Sequence, residues 1–184
     1  MTTAATVEMT WFSDEISARL DDDQFTTGEG PVFDAITGHR PILCPSLATT
    51  SRWPGFTACA LKLGVHAVFA FPVLHGPTCV GAMMCHRGEA APMSDVQVAA
   101  AMTLTDLLRS DVMAWDTDSS DPDAPSFHRA VVHQAAGILF ARLAIPVDDA
   151  LARLRAHAFS HQRAITDVAH DVITGHLHLP QDTA

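Results

Sequence analysis

The chain has 184 residues, 48% of them apolar and 17% charged, with a formal charge of −10. That composition fits a globular protein with room for one domain and a smaller second one, and it excludes a disordered chain. It also argues against a general nucleic-acid coat protein, which needs a broad basic field.

The charge is unevenly placed. Residues 1–125 carry six Lys and Arg against sixteen acids, whereas residues 126–184 carry five of each and seven of the eleven His. Lys62 is the single lysine, so phosphate contacts would fall to Arg, His or backbone N–H groups. Met1–Thr10 has neither the basic region nor the apolar run of a secretory signal, and no stretch reads as a membrane span. The expected setting is the cytoplasm, with no membrane partner. Cys44, Cys59, Cys79 and Cys85 form no C-x-x-C pair. Cys79 and Cys85 fall on one predicted strand, about 20 Å apart, too far to bond, so reduced thiols are expected.

In chain order, Thr6–Phe12 alternates and predicts a strand with Val7, Met9 and Trp11 on one face. The acidic patch Asp21-Asp22-Asp23 follows, and then the turn Gly28-Glu29-Gly30-Pro31 leads into a short helix around Val32–Thr37. Pro41–Cys44 reads as a short extended piece. After a break at Arg52-Trp53-Pro54-Gly55, Phe56–Leu63 predicts a helix stopped by Gly64. Val65–Leu74 and Cys79–Cys85 form a hairpin about His75-Gly76-Pro77-Thr78. Ser94-Asp95 starts a helix of about twenty residues to Met113, with Val98, Met102, Leu108 and Val112 on its apolar stripe.

Asp116–Pro125 holds four Asp, two Pro and no large apolar residue, and reads as an acidic linker. It divides the chain into a first domain over 1–115 and a helical one over 126–179. The first helix, about Ser126–Leu143, has Phe127, Val131, Val132, Ala135, Ile138 and Leu139 on more than one stripe, which calls for two packing partners. The second starts near Pro146 with Asp148 and Asp149 in its first turn and buries Val147, Ala150, Leu151, Leu154 and Ala158. The third, Ala164–Thr174, carries Ile165, Val168, Ala169, Val172 and Ile173 and stops at Gly175. Three short helices bury little surface alone, so dimerisation is expected to help.

Arg129–Ile173 resembles the ANTAR family of RNA-binding antiterminators. The residues that carry the likeness are Gln134-Ala135-Ala136-Gly137-Ile138-Leu139, Asp149-Ala150-Leu151, Leu154-Arg155, Ala158, Ser160-His161-Gln162-Arg163 and Asp167-Val168-Ala169, in the family's order and spacing. Ala136 stands where the family usually has Lys, Asp149 replaces Glu, Leu151 replaces Phe, Gln162 replaces Asn, and Pro146 replaces a Ser helix start. The Lys replaced at Ala136 would be a natural phosphate contact. Upstream, Leu20–Pro31, Arg52–Phe56 and Val80–Met83 resemble the GAF domains that precede ANTAR modules in actinobacteria, with Val32 where those relatives often have Cys. Together the two likenesses imply an α+β fold: a shortened GAF-like antiparallel sheet with flanking helices, followed by a three-helix ANTAR bundle.

The family resemblance implies a regulator that binds paired RNA hairpins with short loops and prevents a terminator from forming. It further implies a GAF-like sensory or dimerising domain open to an unknown small ligand, signal transduction through a homodimer, and no catalytic centre. The expected RNA contacts are Arg129, Arg155, His161, Gln162 and Arg163, because Arg forks and polar side chains suit loop phosphates and unstacked bases. Gln162 and Arg163 are expected at a helix start, where backbone N–H groups also point outward. From composition alone these are solvated surface residues, since a neutral module has no basic field. Neither a metal nor a cofactor is expected: His157-Ala-Phe-Ser-His161 lacks the Glu of a zinc-protease motif, and no Cys lies in this half. Protonation of these His below about pH 6.5 would add positive charge. Two alternatives stand beside this reading. One is a degenerate dimer acting through protein partners. The other is a GAF-type methionine sulfoxide reductase using the four thiols, which would need cysteines of lowered pKa converging on one pocket.

Overall fold

The computed structural model of the chain describes residues 10–114 and 130–179. It divides into two compact units, Ile16–Ser119 and Ser120–Ala184 taken with Met1–Glu15.

The first unit is built on a three-stranded antiparallel sheet in the order β1-β2-β3, formed by Ile42–Cys44, Ala67–His75 and Thr78–Arg87. β2 is central and buried on both faces along most of its length, which is why its sequence is one continuous apolar run. Alternation sends Val68 and Ala70 to one face and Ala67, Phe69 and Phe71 to the other. The hairpin closes through Gly76-Pro77, with His75 paired to Thr78 and Gly76 at φ +57°. A left-handed residue followed by the fixed negative φ of proline suits the right-handed twist of the strands.

Helices α1 (Glu15–Thr27), α2 (Pro31–Gly38) and α3 (Pro54–Lys62) supply Leu20, Ala35, Phe56 and Ala60 to the core on the Val68 face. Helix α4 (Asp95–Ala114) covers the Phe69–Phe71 face through Ala101 and Val98. Full burial of Phe56, Phe69 and Phe71 contributes about 1.5–3 kcal/mol each.

Three parts of this region differ from the sequence expectation or go beyond it. Residues 6–9 lie outside the described residues; Thr10 makes a β-bridge, whereas Trp11 and Phe12 are in no strand, with Trp11 51% exposed. The acidic patch is part of helix α1, which buries Leu20, Gln24 and Phe25. Three consecutive Asp hide the i, i+4 pair Leu20–Gln24, because a buried Gln does not register as apolar. On α4 the inward line is the half-buried Val98 with the buried Ala101 and Thr105, while Met102 and Leu108 are exposed. The small Ala and Thr let the helix approach the bulky Phe pair on β2, so the large residues are displaced to the outside. The short helix α2, the strand β1, helix α3 and the hairpin lie where the sequence predicts them.

The motif residues of this unit interlock. The Glu29 carboxylate accepts the N–H groups of Gly55 (2.6 Å) and Phe56 (3.3 Å), capping α3, whose own N-cap, Trp53, makes no side-chain bond to it. Asp34 Oδ2 accepts from Trp53 Nε1 at 2.9 Å and from the Arg52 guanidinium at 2.5 Å, and Arg52 lies 4.7 Å over the Trp53 ring. The buried Gln24 amide accepts the Val32 N–H at 2.9 Å. Gly30, at φ +153°, lets Gln24 do so, since a Cβ there would overlap the Gln24 side chain.

The second unit contains α5 (Ala130–Leu143), α6 (Val147–Ser160) and α7 (Ile165–Thr174). α5 buries Val132, Ala135, Ala136 and Leu139, the i, i+3, i+4, i+7 stripe of one face. α6 buries Ala150, Leu154 and Ala158, and α7 buries Ile165, Val168, Ala169 and Val172. Val147 is exposed rather than buried, because Pro146 is the N-cap and Val147 opens the first turn ahead of the packed face. The expected linker, Ser126–Arg129 and Phe127 lie outside the described residues. Among the described residues, no single helix is long and apolar enough to cross a membrane.

Candidate nucleic-acid interface

The turn between α6 and α7 is fixed by its backbone. Arg163 N–H donates to Ala158 O at 3.0 Å and Gln162 N–H to Phe159 O at 3.2 Å, with Gln162 at φ +52°. This is the paired C-terminal closure that usually holds Gly or Asn in the left-handed position. Gln162 occupies that position despite its Cβ, so the Asn-to-Gln departure bears on backbone strain as well as on side-chain chemistry.

The same bonds correct the expectation about Gln162 and Arg163. Their N–H groups belong to the end of α6 and are already satisfied; α7 begins only at Ile165, with Ala164 as its N-cap. Any RNA contact there falls to side chains.

Those side chains lie on the surface at the α6–α7 turn. His161, Gln162 and Arg163 are all exposed. Arg163 Nη2 pairs with Asp171 Oδ2 on α7 at 2.7 Å. That bond, with the guanidinium charge, holds the Asp171 carboxyl below its ordinary range. His157 and His161 stack with ring centroids 4.0 Å apart and planes 20° apart. Partial burial first, then the neighbouring His161 and Arg163, push the His157 pKa down. The charge expected at mild acidity is therefore opposed at His157. Ser160 Oγ donates to His157 O at 3.1 Å and lies 2.9 Å from His161 Nδ1.

Arg155 does not join this surface. Two residues from His157, it projects about 160° away around α6, on the other flank of the buried face. It is half-buried and engaged. Arg129 lies outside the described residues. Ala136, where the likeness implies Lys, is fully buried in the α5 stripe, so a Lys amine could leave that position only by running its stem along the helix surface.

Residue order alone does not place His157 and Asp171 in this site. The i, i+4 spacing of His157 and His161 reads as a candidate metal pair. Asp171 stands eight residues from Arg163, with no periodic signal to join them. Among the described residues, no group of three or more His, Cys, Asp or Glu side chains could hold a metal ion.

The family model of the ANTAR domain matches residues 127–173. No curated protein and no solved structure matches the chain. The segment that forms α5, α6, α7 and the turn at Ser160–Arg163 is therefore an ANTAR domain.

Proposed function

We propose that this protein is a non-enzymatic, RNA-binding regulator of transcription termination. In this reading the ANTAR domain engages paired RNA hairpins with short loops through the α6–α7 turn, and the unit Ile16–Ser119 is a GAF-like sensory and dimerising module. The observation that carries the reading is the ANTAR match over a segment whose motif turn exposes His161, Gln162 and Arg163 side by side. Exposed loop bases and phosphates are what such side chains recognise. The setting is the cytoplasm, where transcripts are made.

Homodimerisation is supported by α4, which leaves Val96, Leu104 and Leu107 exposed beside Met102 and Leu108. Light scattering at micromolar concentration is expected to give a dimer; a monomer removes this part of the proposal. A small ligand would find a shallow groove of about 230 Å³ lined by Cys44, Ser46, Thr50, Arg52 and Trp53. The thiol-reductase alternative is disfavoured, because burial pushes the Cys44, Cys59 and Cys85 thiols up, away from the reactive thiolate.

The test is fluorescence anisotropy of a synthetic two-hairpin RNA against a loop-scrambled control at two salt concentrations, with wild-type and Arg163→Ala proteins. Expected is salt-sensitive binding that prefers the intact loops and weakens in the variant. Absence of binding at low salt would move the function to protein partnering, the reading that the neutral charge of residues 126–184 and the buried Ala136 favour.

A further inference from the structure

We propose that the stacked His157–His161 pair is a landing platform for one unpaired purine of the RNA loop. The inference rests on the RNA-binding reading above and assigns to it a contact of a different kind from charge pairing. The pair is anchored on its inner side, where His157 is half-buried, and open on its outer side, where His161 is exposed. Its rings are already parallel, at 4.0 Å and 20°, so a nucleobase laid on His161 continues an existing stack.

The orientation of His161 is fixed. Its Nδ1 lies 3.0 Å from the His157 carbonyl oxygen and 2.9 Å from Ser160 Oγ, a setting that suits the tautomer with its hydrogen on Nδ1. In that tautomer Nε2 is an acceptor, suited to the exocyclic amine of an adenine. Gln162 and Arg163 follow in the chain, both exposed, with an amide for a base edge and a guanidinium for a phosphate. Parallel rings present faces, whereas a metal needs convergent lone pairs. Stacking also requires no basic field, which suits a region with five Arg and five acids.

The experiment uses the full chain and a synthetic two-hairpin RNA with 2-aminopurine at a loop adenine. Anisotropy reads affinity, and 2-aminopurine emission reads stacking. Wild-type protein is expected to bind and quench. His161→Ala is expected to weaken binding about tenfold and restore emission, while His161→Phe, which keeps a flat ring, retains both. Arg163→Ala is expected to weaken binding but still quench at saturation. Wild-type binding without quenching at any loop adenine overturns the platform and leaves the RNA-binding reading intact. His161→Phe behaving like His161→Ala at an unchanged unfolding midpoint overturns it as well. No binding by wild-type overturns both readings together.

Discussion

In the unit Ile16–Ser119, the polar residues of the sequence motifs turn inward: Glu29 onto the start of α3, Asp34 onto Trp53 and Arg52, and Gln24 onto the backbone at Val32. In the ANTAR domain the arrangement is reversed. At Ser160–Arg163 the backbone satisfies itself, and the side chains of His161, Gln162 and Arg163 stay exposed, His161 against His157 and Arg163 against Asp171. Motifs of similar prominence in the sequence thus do different work. Glu29 and Gln24 hold backbone N–H groups of their own unit, and the buried Gln24 amide would cost stability without a partner, so the first set is architecture. Exposed side chains over a closed backbone can meet a ligand, so the second set is where the proposed RNA contact falls.

The contrast can be broken most forcefully at Gly30. Gly30→Val should cost about 3 kcal/mol or more, because it combines the φ of +153° with a collision against Gln24; urea unfolding followed by Trp fluorescence measures it. A neutral outcome would mean that the interlock around Gln24 is dispensable. Next comes Glu29→Ala, expected to cost about 1–3 kcal/mol by stripping the carboxylate from two backbone N–H groups of α3. RNA affinity in the same anisotropy assay should not follow that loss, since the change is architectural.

In the ANTAR domain the expected signs differ. Gln162→Gly should stabilise by about 0.5–1 kcal/mol, because Gly adopts the left-handed conformation at position 162 without a Cβ penalty. If Gln162 touches RNA, the same variant binds more weakly while melting higher, a combination no architectural residue gives. The smallest effect is expected at Asp171. Its folded pKa lies below the ordinary 3.8, so its stabilising contribution is present above the ordinary value and is lost as pH falls from there through the lower folded one. The gap in unfolding midpoint between wild-type and Asp171→Asn should therefore narrow from pH 5 to pH 3. A gap that stays constant would show that the Arg163–Asp171 pair is not what the carboxylate contributes.

The sequence by itself determined the elements that rest on period and punctuation. Continuous apolar residues gave β2, Gly76-Pro77 gave the hairpin, the i, i+3, i+4, i+7 line gave α7, and an ordered set of short motifs gave the ANTAR domain. These are local signals, set by side-chain periodicity and by residues with restricted or unusual φ. The tertiary structure alone decided what depends on distance through space. It placed Asp171 on Arg163, turned Ala136 inward, sent Met102 and Leu108 outward, and joined Glu29 to α3 across the chain. It also showed that the N–H groups of Gln162 and Arg163 close α6 instead of opening α7, since a hydrogen-bond partner is fixed by where the chain returns, and residue order does not state that.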